Sequence, residues 1–333
     1  MRRLTFAGLF SLIAFAATTD CDAADEQRSN VQAAIGKAMI VIERGARAYP
    51  SNQTCFACHH QTLPMLAMTS VRDSGLRFDK DLFGELDQFT RKSFAQRQKR
   101  LSQGEHIGGR AATVSYGLWT LALADDRPDE VSTAMAAYLI STQDVDGSWK
   151  PPSNRPPLEV SSVSCTVLSA IGVKRFSSAD QQEAATQALM KARAWLAQAQ
   201  LPEQEDLNFA LWGQLLLGGT NESRIDLRDR ILTSRQADGG WSQNPSLSSD
   251  AYATGQTLFI LSECGLSPTD AAFREGIALL LETQQDDGSW HVVSRSKPIQ
   301  PWFDNGDPHG KDQFISIAAT SWATAALAKS LRQ

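Results

Sequence analysis

The chain has 333 residues, 42% of them apolar and 21% charged, which is the composition of a folded chain and excludes a disordered one. That length holds one large repeat domain or two ordinary ones. The formal net charge is -5 with both signs scattered, so no basic face for nucleic acid is expected.

The chain opens as a secretory leader does. Arg2 and Arg3 precede an uncharged stretch over 4–17, and Cys21-Asp22-Ala23 offers small residues for cleavage. The expected organisation is a leader over 1–23 and a mature domain over 24–333, periplasmic or secreted. The alternative is an uncleaved anchor, although 4–17 is too short for a stable bilayer span. No later apolar run is long enough to cross a membrane, so none is expected after cleavage. Cleavage leaves Cys55, Cys58, Cys165 and Cys264, the last two alone in apolar stretches and expected as small core residues.

Residues 54–60 read Thr-Cys-Phe-Ala-Cys-His-His and contain C-x-x-C-H. This is the attachment pattern of haem c, in which two thiols form thioethers and the adjacent histidine ligates iron. Cys55, Cys58 and His59 are therefore candidate haem ligands. Zinc held by Cys55, Cys58, His59 and His60, a disulfide, or no cofactor are the other readings. Met65, Met68 and His60 are too near His59 in sequence to reach the far side of a porphyrin. Ring closure would leave His309 as the preferred second ligand and His106 as the other.

Further along, residues 143–149 (Gln-Asp-Val-Asp-Gly-Ser-Trp), 236–241 (Gln-Ala-Asp-Gly-Gly-Trp) and 285–290 (Gln-Asp-Asp-Gly-Ser-Trp) match one another. The last two begin about 49 residues apart and the first two about twice that, so a degenerate unit lies between, near Trp195 and Gln198. Each match follows an amphipathic stretch and precedes one that is apolar all round, which reads as a half-solvated outer helix, a turn and a buried inner helix. Asp-Gly supplies the break. Six units follow, over 31–75, 86–124, 131–172, 183–218, 225–265 and 271–331. The expected fold is all-α, an α/α toroid of six helix hairpins, with an open solenoid as the alternative.

The repeated motif resembles the QW repeat of squalene-hopene cyclases and related terpenoid cyclases, whose toroid is shared with protein prenyltransferase β-subunits. The resemblance spans nearly all of the mature chain and is sharpest from Gln143 onward. It implies that the glutamine caps the next helix and the tryptophan packs over it, which gives Gln143, Trp149, Gln236, Trp241, Gln285 and Trp290 structural roles. It also implies a small apolar isoprenoid ligand or substrate in a central cavity. The Asp-x-Asp-Asp acid of those cyclases is absent: Asp144-Val145-Asp146 runs into Gly147. Cyclisation of squalene is therefore not expected. Asp250-Ala251-Tyr252 resembles part of the prenyltransferase zinc site with tyrosine in place of the thiolate, so Asp250 is expected to cap a helix.

The longest connection, 290–313, carries Arg295, Lys297, Trp302, Phe303, Asp304, Asp307, His309, Lys311 and Asp312. Loops of that length without secondary structure of their own are usually functional or disordered. In a closed ring it borders the C-x-x-C-H segment. Trp119, Phe209, Trp212, Tyr252, Phe314 and Trp322 on inner helices either line a cavity or form core. Two functions result: a haem c toroid with a redox partner, or a cyclase-like or binding module for an apolar small molecule.

Overall fold

A computed structural model describes residues 12–298 and 301–332. The basic start of the expected leader lies outside the described residues. In chain order the helices pair as α1 (Leu12–Asn52) with α2 (Thr62–Asp73), and α3 (Lys80–Ala95), prolonged by the short α4 (Gln98–Ser102), with α5 (Arg110–Leu123). They continue as α6 (Glu130–Ser141) with α7 (Ser162–Phe176), and α8 (Gln182–Leu196) with α9 (Gln204–Leu216). The last pairs are α10 (Asn221–Thr233) with α11 (Ala251–Glu263), and α12 (Ala271–Thr283) with α13 (Gln313–Ser330). These are the six expected hairpins. Among the described residues there is no strand beyond an isolated bridge between Arg155 and Glu159.

The inner helices contact one another in sequence around the ring, and α13 packs against α2 to close it. Small residues permit this. Every residue from 251 to 261 is buried, and a Cβ on Gly255 would lie 2.5 Å from the backbone nitrogen of Ala323 on α13. Helices that approach so closely leave no room at the contact for anything but glycine. Further in, Trp119 of α5, Trp212 of α9, Phe259 of α11 and Trp322 of α13 meet across the axis. Their successive centroids lie 5.5, 6.4, 5.5 and 6.0 Å apart around the cycle. The axis is filled at that level, so these aromatics, with Phe209 beside Trp212, are core rather than a cavity lining.

The repeat turns show one bonding pattern three times. The indole Nε1 of Trp149, Trp241 and Trp290 donates to Leu139, Ile231 and Leu280 O, at 2.7, 2.7 and 2.9 Å, each ten residues back on its own outer helix. The backbone N–H of each tryptophan donates to Thr166, Thr254 or Thr320 on its own inner helix. Burying an indole of that size contributes about 4 to 6 kcal/mol. The tryptophan thus clamps its own hairpin by hydrogen bonds, and Trp241 also packs on the next unit, where a Cβ on Gly276 of α12 would lie 3.1 Å from its ring. A polar link between adjacent units comes from the residue six before it. Gln143 Nε2 donates to Ala188 O on α8 (2.8 Å), and Gln284 Nε2 to Ala34 O on α1 (2.9 Å). In unit five Arg235 reaches Glu275 on α12 instead. The fastening glutamine is therefore Gln284, not Gln285, while the Gln236 side chain bonds Leu247 O and Ser249 N within its own loop.

Unit six closes on unit one through the same device. A Cβ on Gly288, at φ +92°, would stand 2.5 Å from the carbonyl of Lys37. Arg44 Nε donates to Gly306 O (2.7 Å), Ser74 Oγ to Ala328 O (2.8 Å) and Arg28 Nη1 to Leu331 O (3.2 Å).

Candidate functional site

Unit one has no Asp-Gly-Trp turn. Between α1 and α2 it has residues 55–60, wound into a tight turn. His60 and Gln61 N–H both donate to Ala57 O at 3.1 and 3.0 Å, and Gln61 Oε1 reaches back to Ala57 N–H at 2.7 Å. The winding turns Cys55, Cys58 and His59 to one side and His60 inward. Tyr49 OH lies 3.6 Å from Cys55 Sγ, and Cys58 Sγ lies 3.7 Å from His59 Nδ1. Both thiols are free. His60 is fully buried, stacked on Tyr49 at 4.5 Å, with its Nε2 accepting from Asn305 Nδ2 at 2.7 Å.

The long loop covers this turn, as ring closure requires. Asn52 Nδ2 donates to Asp304 O, Phe303 lies 6.1 Å from Tyr49, and Phe314 lies 4.9 Å from His59. A third wall is the loop before α7, where Arg155 Nη1 donates to both Glu159 oxygens at 3.1 and 3.0 Å. Two hollows lie between these walls. One, of about 210 Å³, lies between Cys58, His59, Pro156, Leu158, Trp302 and Phe314, with Lys297 and Lys311 at its edge. The other, of about 140 Å³, has Tyr49, Cys55, Cys58, His59 and Tyr116 on its walls. Arg155 and Glu159 line both.

Burial, then the nearby Arg155 charge, holds His59 down at about 3, so its imidazole is neutral at ordinary pH. Burial, then the neighbouring His59, does the same to His60. Burial, then the Glu159 carboxylate, pushes the Cys58 thiol up. A thiol kept protonated is a poor nucleophile, which argues against thiolate catalysis by Cys58.

Of the residues singled out from the sequence, the structure brings Cys55, Cys58, His59, Lys297, Trp302, Lys311 and Phe314 to the hollows. Trp302 is 64% exposed and forms an outer edge. The remainder hold the loop in shape. His309 Nε2 lies 2.7 Å from Ser289 Oγ, and its ring stacks on His291 at 4.7 Å. Asp312 bonds His291 Nε2 and Ser294 N–H, both at 2.9 Å, while Asp304 accepts from Gly306 N–H. Asp307 accepts the His309 N–H, and burial raises its carboxyl to about 7. His106 is exposed, and its carbonyl accepts from Arg100. Neither His309 nor His106 lines the hollows beside His59. Among the described residues no three His, Cys, Asp or Glu side chains are grouped to hold a metal ion. Asp250 caps α11, accepting from Ala253 N–H at 2.8 Å.

Sequence reasoning missed Arg155, Glu159, Asn305 and Glu205. The prolines at 151, 152, 156 and 157 marked the first two as part of a shaped loop. Glu205 stands at the start of an apolar inner helix, 4% exposed. Its Oε2 accepts from Tyr252 OH at 2.8 Å, and its Oε1 is buried without a partner. Burial raises it to about 7 against the lowering effect of the Tyr252 hydrogen bond. Pro157 separates it from the larger hollow.

Fold and site together define an α/α toroid with a pocketed rim. Solved structures similar to it include the type II terpene cyclase MstE of Scytonema in complex with its product merosterolic acid A. The identity is 16%, over 92% of this chain and 98% of that one, with TM-score 0.57. The same cyclase with its substrate geranylgeranyl dihydroxybenzoate gives 15%, 92%, 98% and 0.56. A glycosidase in complex with glucose is similar over 97% of this chain and 99% of that one, at 9% identity and TM-score 0.59. At these identities the likeness is one of fold. No family model matches the chain, and no curated protein matches it.

Proposed function

We propose that this is a protein of the periplasm or cell exterior that binds a small apolar, isoprenoid-like molecule in the larger rim hollow. The observation that carries this is the hollow itself: about 210 Å³, with Pro156, Pro157, Leu158, Phe314 and Ile315 as its apolar lining and Arg155, Glu159, Lys297 and Lys311 as its charged lining. Apolar walls with a small number of placed polar atoms are the usual form of a small-molecule site. A similar toroid holding an isoprenoid substrate supports the choice of ligand class. Farnesol titrated into the full chain, followed by intrinsic tryptophan fluorescence and calorimetry, is expected to saturate at about one per chain, at micromolar affinity of about -8 kcal/mol. Substituting Ile315→Trp to fill the hollow should abolish the signal. A titration without saturation overturns the reading. Squalene is not the expected substrate, since no Asp-x-Asp-Asp acid is present.

A second reading rests on a different observation. Cys55, Cys58 and His59 all line the smaller hollow, with both thiols free and the imidazole neutral. These residues fit the attachment of haem c: Cys55 and Cys58 as the thioether positions and His59 as the axial ligand. Haem would supply one-electron chemistry and require a redox partner. Expression with a haem-maturation system followed by acid-acetone extraction decides it. A Soret band that stays with the protein, and is lost in Cys55→Ala/Cys58→Ala, is the expected result. A colourless protein, with or without zinc, overturns it.

A further inference from the structure

We propose that the ligand of the larger hollow is an anionic amphiphile, an apolar body with a carboxylate head held by Lys297, Lys311 and Arg155. This rests on reading that hollow as a ligand site. The protein is acidic overall, at net charge -5, yet three of the four charged side chains lining the hollow are cations and Glu159 is the single acid.

The cations come from two loops far apart in sequence, before α7 and before α13, which meet because the ring brings unit three opposite unit six. Arg155 commits Nη1 to Glu159, and its Nε is buried with no acceptor. A buried donor without an acceptor costs free energy that an incoming anion would recover. The Arg155 charge is balanced by Glu159, while among the described residues neither Lys297 nor Lys311 has a carboxylate at ion-pair distance. The lysine ion pairs among the described residues are those of Lys150 and Lys329.

The same hollow is lined by Pro156, Pro157, Phe314 and Ile315 and by the uncharged His59. The cationic part of the lining therefore favours a negative head, and the apolar part a hydrocarbon of limited length. A neutral isoprenoid would use only the second, and a fully polar anion only the first. Charge-assisted bonds are the stronger class, so an acid should be preferred over the matching alcohol by about tenfold.

The test compares farnesoic acid with farnesol, two probes that differ at the head group. With the full chain, the acid is expected to bind about tenfold tighter at low salt, and the preference should shrink as ionic strength rises. In Lys297→Ala/Lys311→Ala the acid-to-alcohol ratio should fall to about one, and Lys311→Arg alone should keep it. Circular dichroism checks that the double variant, altered at exposed side chains, is folded. Equal affinity for the two probes in the unaltered protein overturns the anion proposal and leaves the apolar site standing. Failure of both to bind overturns the site itself. Co-sedimentation with phosphatidylglycerol vesicles, without binding of free farnesoic acid, would assign the cations to a membrane surface and also overturn the proposal.

Discussion

In units three, five and six the turn between outer and inner helix is closed by a tryptophan whose indole bonds a carbonyl ten residues back. In unit one the same place is taken by residues 55–60. There the buried ring, His60, is held by Tyr49 on one side and by Asn305 from unit six on the other. The first kind of turn is stabilised by its own hairpin. The second depends on groups from elsewhere in the ring. A hairpin that secures itself has no side chain left over for a ligand, whereas a turn completed by distant loops leaves hollows between them.

The largest test of that difference is Trp241→Ala. It removes a fully buried indole and its bond to Ile231, and should cost about 3 to 5 kcal/mol on denaturant titration. A loss below about 1 kcal/mol would mean the turns are not clamps. Next is Gly288→Ala. The added methyl would meet the Lys37 backbone at 2.5 Å, so about 3 kcal/mol is expected from overpacking and left-handed strain together. Gly75→Ala is its control, because a Cβ there meets nothing within 4 Å at φ +75°. Only the backbone penalty of about 1 kcal/mol should appear. Equal losses would show that unit six is not seated on unit one as described.

Glu205→Gln probes the interior behind the site. The carboxyl is raised from 4.5 to about 7 by burial, so its neutral form favours the fold. That contribution is whole below pH 4.5 and is lost as pH rises through 7. The variant should therefore gain on the unaltered protein across that window, by about 3 kcal/mol in total. A pH-independent difference would place Glu205 in a more solvated setting. Asn305→Ala should cost about 2 kcal/mol, because it leaves His60 Nε2 unpaired in the interior. Ligand affinity should fall with it, since the cover of the first turn loosens. An unchanged affinity would separate the site from the ring closure.

The sequence displayed the ring readily and the site only in part. Six hairpins could be read because inner helices such as 251–261 are apolar on every face and the Asp-Gly turns recur. Gln284 was missed for its neighbour Gln285 because both precede Asp286 and only the bonding to Ala34 tells them apart. Cys55, Cys58 and His59 stood out by their spacing. Arg155 and Asn305 did not, since each acts through a contact made across the ring, and nothing local in the chain marks such a contact. His309 was read as a ligand from its position in the long loop, while Ser289 and His291 turn its ring elsewhere.

Ring closure also orders events in time. Residues 55–60 belong to the first unit to be synthesised, while Phe303, Asn305 and Phe314, which cover them, belong to the last. A chain that emerges from its N-terminus therefore presents both thiols to solvent until the final hairpin arrives. Any enzyme that modifies Cys55 or Cys58 has that interval in which to act, and the docking of unit six on unit one ends it.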